Sequence, residues 1–244
     1  MFLSLRLLLL ALWLTLHGRV ETGTVVGGHK AAPHSRPYMA LLEMTTADGK
    51  TQHCGGFLLT EDFVMTAAHC NASNYTVYLG LDNYRNRAEA QKLSVKKSYP
   101  HEEFNFNDVK HDIMLLQLST NAEFTRTVSP IDLERADVPD PRSCAVAGWG
   151  KTNRDKGHMS HVLREGNVKL IDAAECAEDY CSSGATAPGG GDSGGPLVCG
   201  NGAGKVYGVI SAYNSHSKIN YYIKISNYNK WIDSIMKNGS QSGI

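Results

Sequence analysis

After residue 24 the chain consists of short runs of β-forming residues, each stopped by turn residues, and helical periodicity appears only near the C-terminus. The runs are Tyr38 to Met44, Phe57 to Leu59, Phe63 to Thr66, Thr76 to Leu79, Ile113 to Leu118, Ala145 to Ala147, Val206 to Ile210 and Tyr221 to Ile225. Many short strands at fairly regular spacing predict an antiparallel sandwich or barrel. Near the end, Trp231, Ile232, Ile235 and Met236 form one apolar stripe at helical spacing, and Gly239 is expected to end that helix. No repeat, low-complexity tract or Pro/Gly/Ser linker divides the chain.

Residues ahead of this pattern have a different character. Arg6 precedes the apolar run Leu7 to Leu14, which Thr15 and Leu16 extend before His17 and Gly18 end it. A membrane-crossing helix needs about 20 apolar residues, so the run reads as a secretory signal peptide. No second run of that kind follows, and a soluble, exported protein is expected, with no membrane partner. Its six cysteines, Cys54, Cys70, Cys144, Cys176, Cys181 and Cys199, would then meet an oxidising compartment. They predict three disulfides, and spacing does not choose among the fifteen possible pairings.

Charge excludes a further class. The chain of 244 residues carries 24 Lys and Arg against 24 Asp and Glu. Residues 1–24 hold Arg6, Arg19 and Glu21, so the remainder has 22 basic residues against 23 acidic. A net charge of about −1 offers no long-range pull toward nucleic acid or an anionic membrane.

Three segments carry chemistry: Thr66-Ala67-Ala68-His69-Cys70, His111-Asp112-Ile113-Met114-Leu115-Leu116, and Gly191-Asp192-Ser193-Gly194-Gly195-Pro196-Leu197-Val198. A serine hydroxyl is a poor nucleophile until a neighbouring base takes its proton, and that base needs an acceptor to hold its tautomer. Ser193, His69 and Asp112 can fill those roles. The apolar neighbours of Asp112 predict burial, which an ionised carboxylate tolerates only with a partner. Gly191 lets the backbone turn so that its N–H and that of Ser193 converge on one point, an oxyanion hole.

These strings resemble the chymotrypsin-fold serine proteases, and the resemblance extends from Val25 to the terminal helix. Val25-Val26-Gly27-Gly28, Cys54-Gly55-Gly56 and Gly148-Trp149-Gly150 add to it. It implies an all-β fold of two six-stranded antiparallel β-barrels with a C-terminal α-helix. It implies pairings too: Cys54 with Cys70, Cys144 with Cys199, and Cys176 with Cys181. Gly189 stands where trypsins and chymotrypsin place a cysteine of an additional bridge, a pattern similar to granzymes and mast-cell chymases. The implied organisation is a signal peptide over residues 1–22, an activation dipeptide over 23–24 and one protease domain over 25–244. The residue before Val25 is Thr24, so a trypsin-like activator has no cleavage site there. Granzyme-like trimming of Gly23-Thr24 would free the amine of Val25 to pair with Asp192; an earlier signal cut near Gly18 would leave a longer propeptide.

The resemblance places Ala187 at the base of the pocket for the side chain before the scissile bond. Trypsins carry Asp there, so a Lys or Arg preference is not expected. Ser211, Ala212 and Tyr213 would form the strand that pairs with substrate, and Tyr213 and Asn220 stand near wall positions that relatives fill with Gly. A small or aliphatic preference follows. Only four residues separate Cys176 from Cys181, where relatives hold a much longer segment. That shortening makes the chain either a natural short-loop variant or a product that folds poorly.

No cofactor and no metal are expected. His158 and His161 lack supporting ligands, and Leu81 with few acids around it does not suit calcium. Lys92, Lys96 and Lys97 read as a local basic patch or a solvated strand edge. Asn71, Asn74 and Asn238 begin N-glycosylation sequons. The expected protein is a secreted or granule-stored, monomeric serine endopeptidase that acts on proteins or peptides and meets inhibitors such as serpins. The alternative is a weak or inactive homologue that acts as a binding protein.

Overall fold

The computed structural model describes residues 25–46, 49–107, 109–136, 138–153, 157–176, 178–200 and 204–241. The expected signal peptide and activation dipeptide lie outside the described residues.

Two closed six-stranded antiparallel barrels lie in chain order. The first is built from β2 (Met39–Thr45), β3 (Thr51–Leu58), β4 (Phe63–Thr66), β5 (Asn74–Leu79), β6 (Gln91–Pro100) and β7 (Met114–Leu118), paired in the order β2, β3, β4, β7, β6, β5. The second uses β8 (Ser143–Gly148), β9 (Arg164–Ile171), β10 (Tyr180–Ser182), β11 (Pro196–Cys199), β12 (Lys205–Asn214) and β13 (Ile219–Lys224), and closes where β8 pairs with both β9 and β11. A two-residue strand, β1 (His29–Lys30), adds to the outer side of β9. Closure removes the open edges that would otherwise invite pairing with another chain.

Of the strands covered on both faces, β4 and β7 match the apolar runs closely, whereas β10 and β11 were not among them. Every residue of β4 and β7 is buried, because one face lines the barrel and the other is packed over. Strands with one wet face were harder to read. β6 alternates half-buried and exposed residues from Gln91 to Lys96, and β9 interleaves Glu165, Asn167 and Lys169 with buried Arg164, Gly166 and Val168. The basic patch belongs to β6, which pairs with β5 on one side and β7 on the other, so Lys92, Lys96 and Lys97 do not form a strand edge.

The C-terminal helix, α1 (Asn229–Gln241), runs two residues past Gly239. Gly239 therefore does not cap it. A Cβ on Gly239 would stand 2.6 Å from Phe63 Cζ, and Gln117 Nε2 donates to the Gly239 carbonyl at 3.1 Å. The glycine lets the helix backbone press against the first barrel.

The three disulfides join Cys54 to Cys70, Cys144 to Cys199 and Cys176 to Cys181. Cys144 and Cys199 face each other across the β8–β11 ladder, with Cα atoms 4.3 Å apart. Cys176 and Cys181 pack with Ile219 in a small cluster that ties the short loop to β13.

Candidate active site

Three separate turns carry the candidate residues, and hydrogen bonds join two of them, His69 and Asp112. His69 lies on one turn of 3-10 helix, Ala68–Cys70, directly after β4. That turn is fixed on both sides: Thr66 and Ala67 are fully buried, and Cys70 is bonded to Cys54 on β3. His69 is left with its ring a quarter exposed, while Asp112 ahead of β7 is wholly inaccessible.

The Asp112 carboxylate accepts three hydrogen bonds. Oδ1 takes the backbone N–H of His69 at 2.8 Å; Oδ2 lies 2.7 Å from His69 Nδ1 and accepts from Ser211 Oγ at 2.5 Å. Burying a carboxylate is costly unless donors replace its water, and this set supplies them. The pairing also places the Nδ1 proton toward the acid and leaves Nε2 as the free base. Ser211, expected on the strand that pairs with substrate, lies in β12, and its hydroxyl is turned to Asp112.

Ser193 projects from a tight turn. Its carbonyl accepts from Gly55 N at 2.8 Å, Gly194 N donates to Ile210 O at 2.7 Å, and Gly195 N donates to Asp192 O at 2.9 Å. These bonds pin the turn to β3 of one barrel and β12 of the other. Gly194 holds φ +83, and a Cβ there would lie 2.0 Å from Thr66 Oγ1, so no other residue fits. Gly191, at φ +97, is also in the left-handed region. Among the described hydrogen bonds, none joins Ser193 Oγ to His69; the direct contacts are those among His69, Asp112 and Ser211.

Asp192 is 1% exposed and accepts from Gly150 N at 2.7 Å and Gly189 N at 2.8 Å. Burial outweighs these two bonds and pushes its pKa up to about 6. Gly148 and Gly150 form its cradle, since a Cβ on either would come within 2.6 Å of the carboxylate. Val25 is 2% exposed within the core of the second barrel, and its φ of 24° is strained for a β-branched residue. Val26 pairs with Ala187, whose N–H donates to the Val26 carbonyl at 2.9 Å. No contact between Val25 and Asp192 is among those described.

The pocket candidates are only partly gathered. Ala187 is fully buried. Tyr213, more than a third exposed, pairs across the β12–β13 ladder with Asn220, which is 2% exposed. Asn220 Nδ2 donates to the Ser182 carbonyl at 3.1 Å, and Ser182 Oγ lies 2.7 Å from Tyr222 Oη. Sequence reasoning missed Ser182 and Tyr222, because nothing local marks them as partners of Asn220. The sequon residues Asn71, Asn74 and Asn238 are all exposed; His158 is exposed, and His161 stacks edge-on to Tyr84.

No helix among the described residues is long and apolar enough to cross a membrane. The family model described as Trypsin matches residues 25–232. Granzyme B of Rattus norvegicus is 38% identical over 251 residues, covering 96% of this chain and 99% of that protein. Chymase of Papio hamadryas is 38% identical over 241 residues, covering 93% of this chain and 96% of that protein. A solved structure described as "Structure of GrC" is similar with a TM-score of 0.78 and 37% identity, over 86% of this chain and 99% of that one.

Proposed function

The chain belongs to the trypsin family of serine proteases and is a serine endopeptidase, and from that premise we propose that Ser193, His69 and Asp112 form its catalytic triad. One observation carries the assignment: a fully buried carboxylate holds both the backbone and the Nδ1 of a partly exposed histidine.

In the proposed reaction Ser193 Oγ attacks the peptide carbonyl and passes its proton to His69 Nε2. Asp112 keeps the imidazolium oriented, and His69 returns the proton to the leaving amine. Water then repeats the cycle on the acyl-enzyme. Gly191 N–H and Ser193 N–H would receive the oxyanion, each such donor lowering the barrier by about 3 to 4 kcal/mol. A fluorophosphonate probe on processed protein tests this. A Ser193 adduct, absent in Ser193→Ala, is expected; peptide cleavage retained in Ser193→Ala would overturn it.

Activation follows from the isolation of Asp192. In the uncut chain its described partners are two peptide N–H groups, which leaves a buried charge without a cation. Removal of a signal peptide over 1–22 and of Gly23-Thr24 would free the Val25 amine to supply that cation and order the turn bearing Gly191. A chain carrying an enterokinase site directly before Val25 should gain activity on cutting; equal activity before and after would exclude the mechanism.

For the side chain before the scissile bond, Ala187, Tyr213 and Asn220 support a small or aliphatic preference. The Tyr213–Asn220 pairing also favours the second reading, a catalytically weak homologue that binds rather than cleaves. The same probe separates them: a labelled enzyme that cleaves small-residue peptides is a protease with a narrow pocket, and an unlabelled one is a binding protein. Substrates would be proteins or peptides met outside the cell or in secretory granules, with serpin-type inhibitors as partners.

A further inference from the structure

A cavity of about 520 Å³ opens between the segment ahead of β7, the loop closed by Cys176 and Cys181, and the start of α1. His69, Asp112 and Ser193 do not line it. At its rim the ligand atoms of His101, Glu103 and His111 all lie within 4.8 Å of one another. We propose that these three side chains bind a divalent transition-metal ion of the zinc class.

The donor set argues for that class. Two imidazoles and one carboxylate, with a fourth position left to water, suit zinc, whereas calcium selects oxygen ligands alone. In a tetrahedral site with bonds of about 2.0 to 2.2 Å the ligand atoms stand about 3.4 Å apart. Glu103 Oε2 is 3.8 Å from His111 Nε2, and its exposed side chain can close that gap. The outer contacts are suitable as well. His111 Nδ1 lies 3.1 Å from Tyr228 Oη, which fixes the ring and leaves Nε2 facing Glu103. His101 stacks on His111 with centroids 5.0 Å apart and planes at 14°. A ligating imidazole keeps the metal in its ring plane, so His101 must turn, giving up a 3.3 Å bond from the Glu103 amide and its ring contacts with Tyr228 and Trp231.

Charge in the cavity favours a cation. Three carboxylates line it, Glu103 together with Glu178 and Asp179 from the short loop, against two ammonium groups, Lys110 and Lys230. The other cluster with metal-like spacing among the described residues, Cys54, His69 and Cys70, is excluded because both sulfurs are in a disulfide.

Occupancy has a consequence for cleavage, which rests on the proposed triad. His111 precedes Asp112, holds φ +54, and has its carbonyl tied to Ile113 N at 2.8 Å; Ile113 O in turn accepts from His101 N at 3.0 Å. Drawing the two rings onto one ion therefore loads the turn that presents Asp112, and zinc should slow peptide cleavage.

Binding is measured first, with zinc alone by calorimetry and with cobalt(II) by its visible absorption, on processed protein whose fold is checked by circular dichroism. One ion per chain is expected, weakened in His101→Ala and His111→Ala by at least the roughly 10- to 100-fold that losing an outer contact costs, and less in Glu103→Gln. No binding, or equal binding by the wild type and a His101→Ala/His111→Ala double variant, would overturn the site. Zinc bound at these residues by a protein that cleaves nothing would count against the proteolytic reading alone.

Discussion

Tyr213 and Asn220 are direct partners across the β12–β13 ladder, and Asn220 is held from beneath by Ser182. The two strands thus remain paired up to Asn214 and Ile219, with a bulge between Ile210 and Tyr213. An aromatic side chain and a buried amide thus stand at the two positions proposed to wall the pocket.

Tyr213→Gly should widen this entrance. A hydrophobic pocket gains on the order of 10- to 200-fold per methylene-sized step in discrimination. Tyr213→Gly is therefore expected to raise kcat/KM for peptides with Leu or Phe before the scissile bond at least about tenfold relative to Ala. Profiling both enzymes on one peptide library measures it, and an unchanged preference would remove Tyr213 from the pocket.

Asp112→Asn should preserve the fold and remove most of the activity. An amide at this position cannot accept from His69 N, His69 Nδ1 and Ser211 Oγ without turning a donor toward one of them. The imidazole is then held in the wrong tautomer, and kcat is expected to fall on the order of 10⁴-fold, as in the triad template. Steady-state kinetics beside a circular dichroism spectrum tests both halves.

Asp192 predicts a pH dependence that processing should change. In the uncut chain its pKa is raised from 3.8 to about 6, so folding favours the protonated form. The sign follows: the penalty is absent below the unfolded pKa, grows as pH rises and is complete above about 6. Its size is about 3 kcal/mol, a buried group at 1.36 kcal/mol per unit. Denaturant unfolding of uncut Ser193→Ala should show this loss relative to the same chain with Asp192→Asn. Chain cut before Val25 should not show it, because the new ammonium stabilises the ionised carboxylate.

Gly239→Ala tests close packing against helix propensity. Alanine is favoured in a helix by about 1 kcal/mol, yet its Cβ would lie 2.6 Å from Phe63 Cζ. Overpacking typically costs about 1 to 3 kcal/mol. A net destabilisation of up to about 2 kcal/mol is expected by denaturant unfolding, and a stabilised variant would show that Phe63 moves aside freely.

How legible an element was depended on its surroundings. Phe63–Thr66 was read to the residue because both faces are buried and the run is apolar up to the β-branched Thr66. Gln91–Pro100 and Arg164–Ile171 escaped because each carries one wet face, where lysines and glutamate interrupt the pattern. Gly239 was misread for a related reason: a glycine at a helix end looks the same whether it turns the chain or lets Phe63 approach, and only the second holds here.

What the sequence by itself determined are the features with local causes. Short apolar runs specified strands, glycines beside Asp192 and Ser193 specified a tight turn, and the strings around His69, Asp112 and Ser193 marked the site. Tertiary structure alone decided what depends on distant segments meeting: Ser211 on Asp112, 99 residues away in the chain, Asn220 on Ser182, and His101 beside His111 over the short-loop acids. Backbone sterics act between neighbours and leave a mark in the sequence. Side-chain contacts across a closed barrel are set by register and closure, which no single segment contains.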